Sequence, residues 1–276
     1  MKKTILIVGG SGFLGKNLCA GLFGSYRVMI ASRGMSGDGI LTYRDIDDLL
    51  CQLKQHDIFG IINCAVAYGR GGESDKELEN TNFHLPTQLA EYSLRNGMKL
   101  FINCDSFYRK FSIGVEKNKY IYFKKKTFNY LRGLNNQSQT KIINVTIHHM
   151  YGPNDSLHKI ISSVVDRLKK GEKINLSACT QQRYFIDVVD VVKYFKGILS
   201  NYDKLNSFND IDVAGYHYMS MREIVWKIYE LIQCGSLIFD TSLYHEIDEN
   251  IVPKVDFPNW LSINQLSIQS SLQRLL

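Results

Sequence analysis

Through residue 150 the chain alternates short apolar runs with longer stretches whose apolar residues recur every three or four positions. The runs Ile5–Val8, Arg27–Ala31, Ile58–Asn63, Leu100–Asn103 and Ile142–Ile147 are rich in Ile and Val and mostly apolar on both faces, as in strands of a covered parallel sheet. Between them, Gly15–Phe23, Ile46–Gln55, Leu78–Arg95 and Tyr120–Leu134 have the length of helices. Strand and helix in alternation predict right-handed crossovers and an α/β fold built on a doubly wound parallel sheet. Beyond Tyr151-Gly152-Pro153 the pattern changes. A helix over Leu157–Lys169 runs into Gly171, which supplies a left-handed cap. Short strands, helices over Val188–Leu199 and Met221–Ile232 and a tail broken by Pro and Asp follow, predicting a smaller C-terminal lobe laid against the sheet.

Composition adds limits. The 276 residues are 45% hydrophobic and 22% charged, which fits a folded chain and is too apolar for a disordered one. No apolar run approaches the roughly 18–20 residues of a membrane span, and Met1-Lys2-Lys3 leads directly into a strand-like segment, so a cytoplasmic globular protein is expected. Six scattered cysteines without a C-x-x-C pair read as reduced core residues; neither a disulfide framework nor a metal site is expected. The net charge of +6 is mild. One basic stretch, Lys117–Lys126, interleaves aromatics with lysines. It fits a nucleic-acid surface, a helix with one solvated lysine face, or a catalytic element. The catalytic reading is favoured, and no nucleic-acid or membrane partner is expected.

The sharpest local signal is Gly9-Gly10-Ser11-Gly12-Phe13-Leu14-Gly15, which follows the first strand and opens the first helix. Gly9 permits a tight turn, Gly12 lets the backbone approach a pyrophosphate, Gly15 lets helix and strand pack closely, and the helix N-terminus faces the phosphates. No G-K-[ST] follows, which excludes a P-loop. The second strand runs into Ser32-Arg33 with no carboxylate for an NAD ribose 2′-hydroxyl. A guanidinium suits a 2′-phosphate, so NADP(H) is expected over NAD(H), against the alternative of a solvated loop arginine. Asp45-Ile46 stands where the third strand meets the adenine, or where an acid simply opens a helix.

Tyr120 and Lys124 lie four residues apart and share one helix face. Bringing a phenol to neutrality takes about 3 pKa units, roughly 4 kcal/mol, and one cation at about 4 Å in an effective dielectric near 20 supplies about that much. Tyr122 and Lys126 fit the same spacing. The first register is preferred because Phe128 and Leu131 continue its apolar face, whereas the second meets Tyr130 and Gly133.

Gly9/Gly12/Gly15, Asn63-Cys64-Ala65, Asn82, Ser106, Tyr120/Lys124 and Tyr151-Gly152-Pro153 together resemble the extended short-chain dehydrogenase/reductase family of nucleotide-sugar epimerases, dehydratases and reductases. The resemblance covers almost the whole chain. It implies a Rossmann-type dinucleotide-binding domain over residues 1–152, with 184–214 returning to it, and a substrate-binding lobe from 153–183 and 215–276. It places a catalytic Ser…Tyr…Lys set on Ser106, Tyr120 and Lys124. Cofactor contacts fall on Gly9, Ser11, Gly12, Phe13, Leu14, Gly15, Ser32, Arg33, Asp45, Ile46, Cys64, Ala65, Val66 and Asn82.

Narrower features are similar to the 4-ketoreductases of the CDP-abequose and CDP-paratose synthase type: Tyr68-Gly69-Arg70 with Glu73, Phe101–Phe107, His149-Met150-Tyr151-Gly152-Pro153 with Asp155, and Gln182–Asp187 with Asp190. The subgroup implies NADPH-dependent reduction of the C4 ketone of a nucleotide-activated 4-keto-deoxyhexose, CDP-linked by preference, in O-antigen sugar synthesis, by a homodimer. Substrate contacts fall on Arg70, Ser106, His149, Arg183 and His245. Three departures bear on recognition. Arg183-Tyr184-Phe185 lacks an aspartate usual in the family, His245 replaces a phosphate-binding arginine, and His149 stands where relatives carry asparagine. Arg70 also reads as a solvated loop residue, His149 as a hydrogen-bonded structural histidine, and Ser106 as turn chemistry. Two other functions stay open: an epimerase or dehydratase recycling bound NAD, and a non-catalytic dinucleotide-binding sensor.

Overall fold

The computed structural model describes residues 2–111, 118–134, 139–242, 255, 257 and 260–276. In chain order the first elements are β1 (Thr4–Val8), α1 (Phe13–Leu22), β2 (Arg27–Ser32), β3 (Ile40–Thr42), α2 (Ile46–Leu53), β4 (Gly60–Asn63), α3 (Asp75–Glu79), α4 (Leu85–Arg95), β5 (Leu100–Ser106), α5 (Lys119–Gly133) and β6 (Lys141–Ile147). They are followed by β7 (His149–Tyr151), α6 (Ile160–Lys169), β8 (Lys173–Ser177), β9 (Gln182–Asp187), α7 (Val188–Ser200), β10 (Phe208–Val213), β11 (Tyr218–Ser220), α8 (Met221–Ile232), β12 (Ser236–Asp240) and α9 (Ile268–Gln273).

Seven parallel strands form the main sheet in the order β3-β2-β1-β4-β5-β6-β10. The reversal of direction at β1 leaves a crevice outside the carboxyl ends of β1 and β4, where doubly wound sheets bind ligands. The central strands are continuously apolar because helices cover both faces. Alternate residues of β1 feed opposite layers. Ile5 and Ile7 join Leu14, Leu18, Val191 and Phe195 under α1 and α7. Leu6 and Val8 join Leu49, Leu53, Leu89 and Leu131 under α2, α4 and α5.

The later chain adds two small sheets, β7-β9-β11 and β8-β12. The amphipathic helices α6 and α8 close over them through Ile161, Val164, Leu168, Ile224, Val225 and Ile228. Gly171 takes φ +75 beyond α6, as a left-handed cap requires.

Three features differ from the sequence expectation. The helix expected from Leu157 begins at Ile160, after a turn in which Ser156 caps His158. The expected helix Leu78–Arg95 starts at Asp75 on a Ser74/Glu77 capping box and is interrupted by a π turn over Asn80–His84. Cys51 and Cys234 are exposed and not core residues; each is one thiol at the edge of an amphipathic segment, where its small size leaves either environment open. Among the described residues no helix is long and apolar enough to cross a membrane, and no cluster of His, Cys, Asp or Glu has the makings of a metal site.

Candidate active site

The glycine-rich turn leaves β1 with Gly9 at φ +79, its N–H donating to Ala31 O at 3.0 Å. A Cβ on Gly9 would stand 2.7 Å from Ala65 N, and one on Gly15 would stand 2.6 Å from Gly10 Cα, so backbone fills both places. Gly12 is different: a Cβ there would meet only Gly9 O, at 3.4 Å. The open side of the turn thus lies at Gly12, the N-cap of α1. That helix end has no side-chain cap and no acidic residue in its first turn, so its N–H groups and positive dipole end are available to an anion. This cradle fits the diphosphate of a dinucleotide through Gly12 and the N–H groups of Phe13 and Leu14.

Ser32 is buried at the end of β2 and its hydroxyl lies 3.4 Å from that of Ser11, across the mouth of the turn. Arg33 is exposed beside it. Asp45 spends its carboxylate on the N-cap of α2, accepting from Asp48 N at 2.9 Å, and Ile46 packs into the core beneath α2. Beyond β4, Cys64, Ala65 and Val66 are half-buried, and the backbone of Cys64 and Ala65 lies against Gly9 of the turn. Asn82, inside the π turn, donates to Ala67 O at 2.8 Å and accepts from Ala67 N at 3.2 Å. Both ends of its amide are engaged, so Asn82 clamps the 64–67 segment.

The carboxyl end of β5 carries Ser106, and α5 presents Tyr120 and Lys124 to it. The Ser106 side chain lies near enough to the Tyr120 hydroxyl to favour its ionised form. Burial, then the neighbouring Tyr68 phenol, push the Tyr120 hydroxyl well above its ordinary range, so it stays protonated at neutral pH. Lys124 is 4% exposed, its Nζ donating to Cys104 O at 3.0 Å and lying 5.9 Å from the Tyr120 ring. Burial lowers its pKa while the Asp105 carboxylate opposes the fall. The expectation that Lys124 draws the phenol toward neutrality therefore fails here: the ammonium is aimed at a carbonyl, and desolvation dominates. In the other register, Tyr122 is 45% exposed and Lys126 pairs with Glu79 at 3.0 Å on the outer surface.

On the opposite wall, His149 sits in β7 against the rings of Phe107 and Phe185. Its pKa is lowered to about 3, first by burial and then by Arg183, Lys159, His148 and Arg70. Several cations thus converge on a neutral imidazole. Arg183 in β9 is 3% exposed, donates to Gln182 O at 2.7 Å and lies within 6 Å of the Phe107 and Phe111 rings, at 5.8 and 5.5 Å. Among the described residues it pairs with no carboxylate. A buried guanidinium without a counter-charge is costly, and an anionic ligand would supply one. Arg70 is exposed in a loop that Glu73 holds through Gly71 N at 2.7 Å. The Tyr151-Gly152-Pro153 turn touches the glycine loop, since a Cβ on Gly152 would reach Phe13 Cζ at 3.3 Å. His245 lies outside the described residues.

Behind Ser106 stands a buried polar network that the sequence reading missed. Arg109 donates to Asp105 Oδ2 at 2.5 Å, to Thr146 at 2.9 Å and to Asp210 Oδ2 at 2.9 Å. Asp105 also accepts from Ser106 N at 2.8 Å and from Asn144 at 3.0 Å, and Lys110 and His148 hold Asp212. The available signal was Asp210 and Asp212 alternating with Ile211 and Val213 in a short strand, with Arg109 four residues after Asp105.

A doubly wound sheet with a glycine turn after β1 and a Ser/Tyr/Lys cluster after β5 defines a dinucleotide-binding protein of the oxidoreductase type. Residues 5–214 match the NAD dependent epimerase/dehydratase family, to which the chain belongs. It is 25% identical over 265 residues to a CDP-abequose synthase of Salmonella typhimurium, spanning 91% of this chain and 89% of that one. To the CDP-abequose synthase of Yersinia pseudotuberculosis it is 24% identical, over 92% of this chain and 93% of that one. Among solved structures, MoeE5 in complex with UDP-glucuronic acid and NAD superposes with a TM-score of 0.81 at 18% identity, over 98% of this chain and 97% of that one. A UDP-N-acetylglucosamine 4-epimerase from Methanobrevibacter ruminantium gives 0.82 at 17% identity, over 100% and 97%. At such identities these structures bear on the fold alone.

Proposed function

We propose that the protein is an NADPH-dependent 4-ketoreductase acting on a nucleotide-activated 4-keto-deoxyhexose, with a CDP-linked sugar as the favoured substrate. The carrying observation is the placement of Tyr120 beside Ser106 at the carboxyl end of β5, with buried Lys124 one turn further along α5. The curated relatives named CDP-abequose synthase support the substrate class. Exposed Arg33, with no acidic residue at the end of β2, supports a 2′-phosphorylated cofactor.

Bound NADPH supplies the hydride. Tyr120 Oη donates the proton that the developing C4 alkoxide takes up, which its raised pKa suits: it is an acid that keeps its proton until a stronger base forms beside it. Ser106 Oγ hydrogen-bonds the carbonyl oxygen as charge builds there. Lys124, one turn along α5 from Tyr120, holds the nicotinamide ribose. Arg183 anchors the sugar-nucleotide diphosphate, with His149 kept neutral so that it adds no proton-dependent charge. Binding energy from the diphosphate then positions the sugar, so a free keto-sugar is a poor substrate. As a family expectation, the enzyme acts as a homodimer.

The test is oxidation of NADPH and of NADH, followed by absorbance, with CDP-4-keto-6-deoxyhexose and its UDP and dTDP counterparts. NADPH consumption with the CDP sugar is expected, and Tyr120→Phe should lower kcat by about 10²–10⁴-fold while leaving NADPH binding intact. Tyr122→Phe should stay within about twofold, because that ring faces solvent. NAD retained through purification, with interconversion of two sugars and no net cofactor use, would overturn the reductase reading in favour of an epimerase.

A further inference from the structure

Two thiols lie side by side where the glycine-rich turn, β4 and β5 converge. The parallel register pairs Asn63 with Asn103, so Cys64 and Cys104 are the next residues along neighbouring strands. Their Sγ atoms are 3.5 Å apart. Neighbouring strands run about 4.8 Å apart, within the Cα separations a disulfide spans. Both backbones serve the proposed site. Cys64 N donates to Val8 O at 2.8 Å, and a Cβ on Gly9 would meet Cys64 C at 3.0 Å. Cys104 O receives the Lys124 ammonium.

We propose that Cys64 and Cys104 form an oxidation site, a dithiol that a peroxide-class oxidant converts to an intramolecular disulfide, and that the bridge weakens dinucleotide binding at the adjoining turn. The effect on binding rests on the dinucleotide reading given above. Cys64, the more exposed of the two, attacks one peroxide oxygen; its sulfur gives up an electron pair and becomes a sulfenic acid, and the other oxygen leaves as water. Cys104 sulfur then attacks the sulfenyl sulfur, forming the S–S bond, and the departing hydroxide takes the Cys104 proton as a second water. Two thiols are oxidised by two electrons and one peroxide is reduced. The hydrogen bond with Cys104, followed by burial, holds the Cys64 thiol well above its ordinary range, so the step is slow at neutral pH and speeds up as pH rises. Closing the bridge draws residue 64 toward β5 and away from the turn it supports.

The test treats the full chain with hydrogen peroxide, with and without saturating NADPH, then alkylates, digests and maps it by mass spectrometry. Nucleotide affinity is measured by fluorescence before treatment, after it, and after dithiothreitol. A peptide pair joining residues 64 and 104, about 2 Da lighter than the two thiols, is expected in the monomer band of a non-reducing gel. Affinity for NADPH should fall by about tenfold and return on reduction, and bound NADPH should slow the bridge. Cys104→Ala should form no such bridge and show no oxidant-dependent fall from its own untreated affinity. Sulfinic acid at Cys64 without a bridge, or crosslinks confined to exposed Cys51 and Cys234, would overturn the oxidation site. A bridged protein with unchanged affinity would overturn the coupling. If untreated protein binds no dinucleotide, the reading of the turn fails and the coupling falls with it, while the peptide map still decides the oxidation site.

Discussion

His149 is a titratable group held in one state by its surroundings. Its ordinary pKa of 6.5 falls to about 3 in the folded chain, chiefly through burial and then through Arg183, Lys159, His148 and Arg70. Between those values the unfolded chain takes up a proton that the folded chain refuses. The stabilisation is present above pH 6.5 and is lost as pH falls toward 3. Acidification from pH 7.5 to 5 should therefore cost wild type about 1–2 kcal/mol that His149→Gln retains, read as urea unfolding free energies at each pH. Parallel losses in both proteins would remove the charge argument for this wall of the cleft. The neutral state of His149 and the lack of a carboxylate partner for Arg183 among the described residues were not legible in the sequence, because each depends on which side chains distant strands bring together. Glycines 9, 12 and 15 were legible because their spacing is local. Tyr120 and Lys124 were legible as a helical pair, but the direction of the Tyr120 shift depends on burial, which spacing alone does not report. The Arg109 network stayed hidden for the same reason: its carboxylates sit 101 residues apart from it in one case and four in the other.

At the scale of elements, β1, β2, β4, β5 and β6 followed from the apolar pattern, since buried parallel strands advertise themselves as unbroken Ile and Val runs. The three-residue strands β3, β7 and β11 carry too few positions for any period to register. The π turn was equally silent; it is fixed by tertiary bonds, Asn82 to Ala67 and Thr127 Oγ1 to Asn82 O. The β1–α1 turn allows folding and binding to be separated. On Gly15 a methyl group would press on the backbone of Gly9 and Gly10, whereas on Gly12 it would meet only Gly9 O at 3.4 Å. Gly15→Ala should lower both the thermal midpoint and NADPH affinity. Gly12→Ala should keep its midpoint within about 2 °C while losing roughly tenfold or more in affinity, because the methyl group occupies the side where phosphate approaches. Scanning calorimetry beside fluorescence titration measures both. Equal affinity in Gly12→Ala and wild type would move the anion site elsewhere.

The whole molecule is tied together by its last sixteen residues, a segment in which the sequence shows only a broken tail. Leu261 fills the space that a side chain at Gly197 of α7 would need, and Leu272 enters the core beneath α6 and α8. Ser271 donates to buried Asp187 at 2.7 Å, Leu266 N to buried Asp190 at 2.9 Å, and Gln265 reaches Tyr194 and Ala214 O. One short segment thus touches the helix that backs the main sheet, the carboxyl end of β9 at Asp187, and the core beneath α6 and α8. Its register is set by single polar contacts to partners far away in the chain, which leave no periodic trace. Ending the chain at residue 260 would leave two buried carboxylates short of donors and would uncover apolar surface on both sides of the cleft. Each carboxylate left short of a partner costs about 1–3 kcal/mol, before any loss of packing. The shortened protein should unfold at least about 8 °C below the full chain, and ordering of the cleft should suffer first, with dinucleotide affinity lost at temperatures where helicity persists. Circular dichroism melts paired with fluorescence titration read both quantities. A shortened chain with the full-length midpoint would mean that this segment does not tie the main sheet to the smaller sheets.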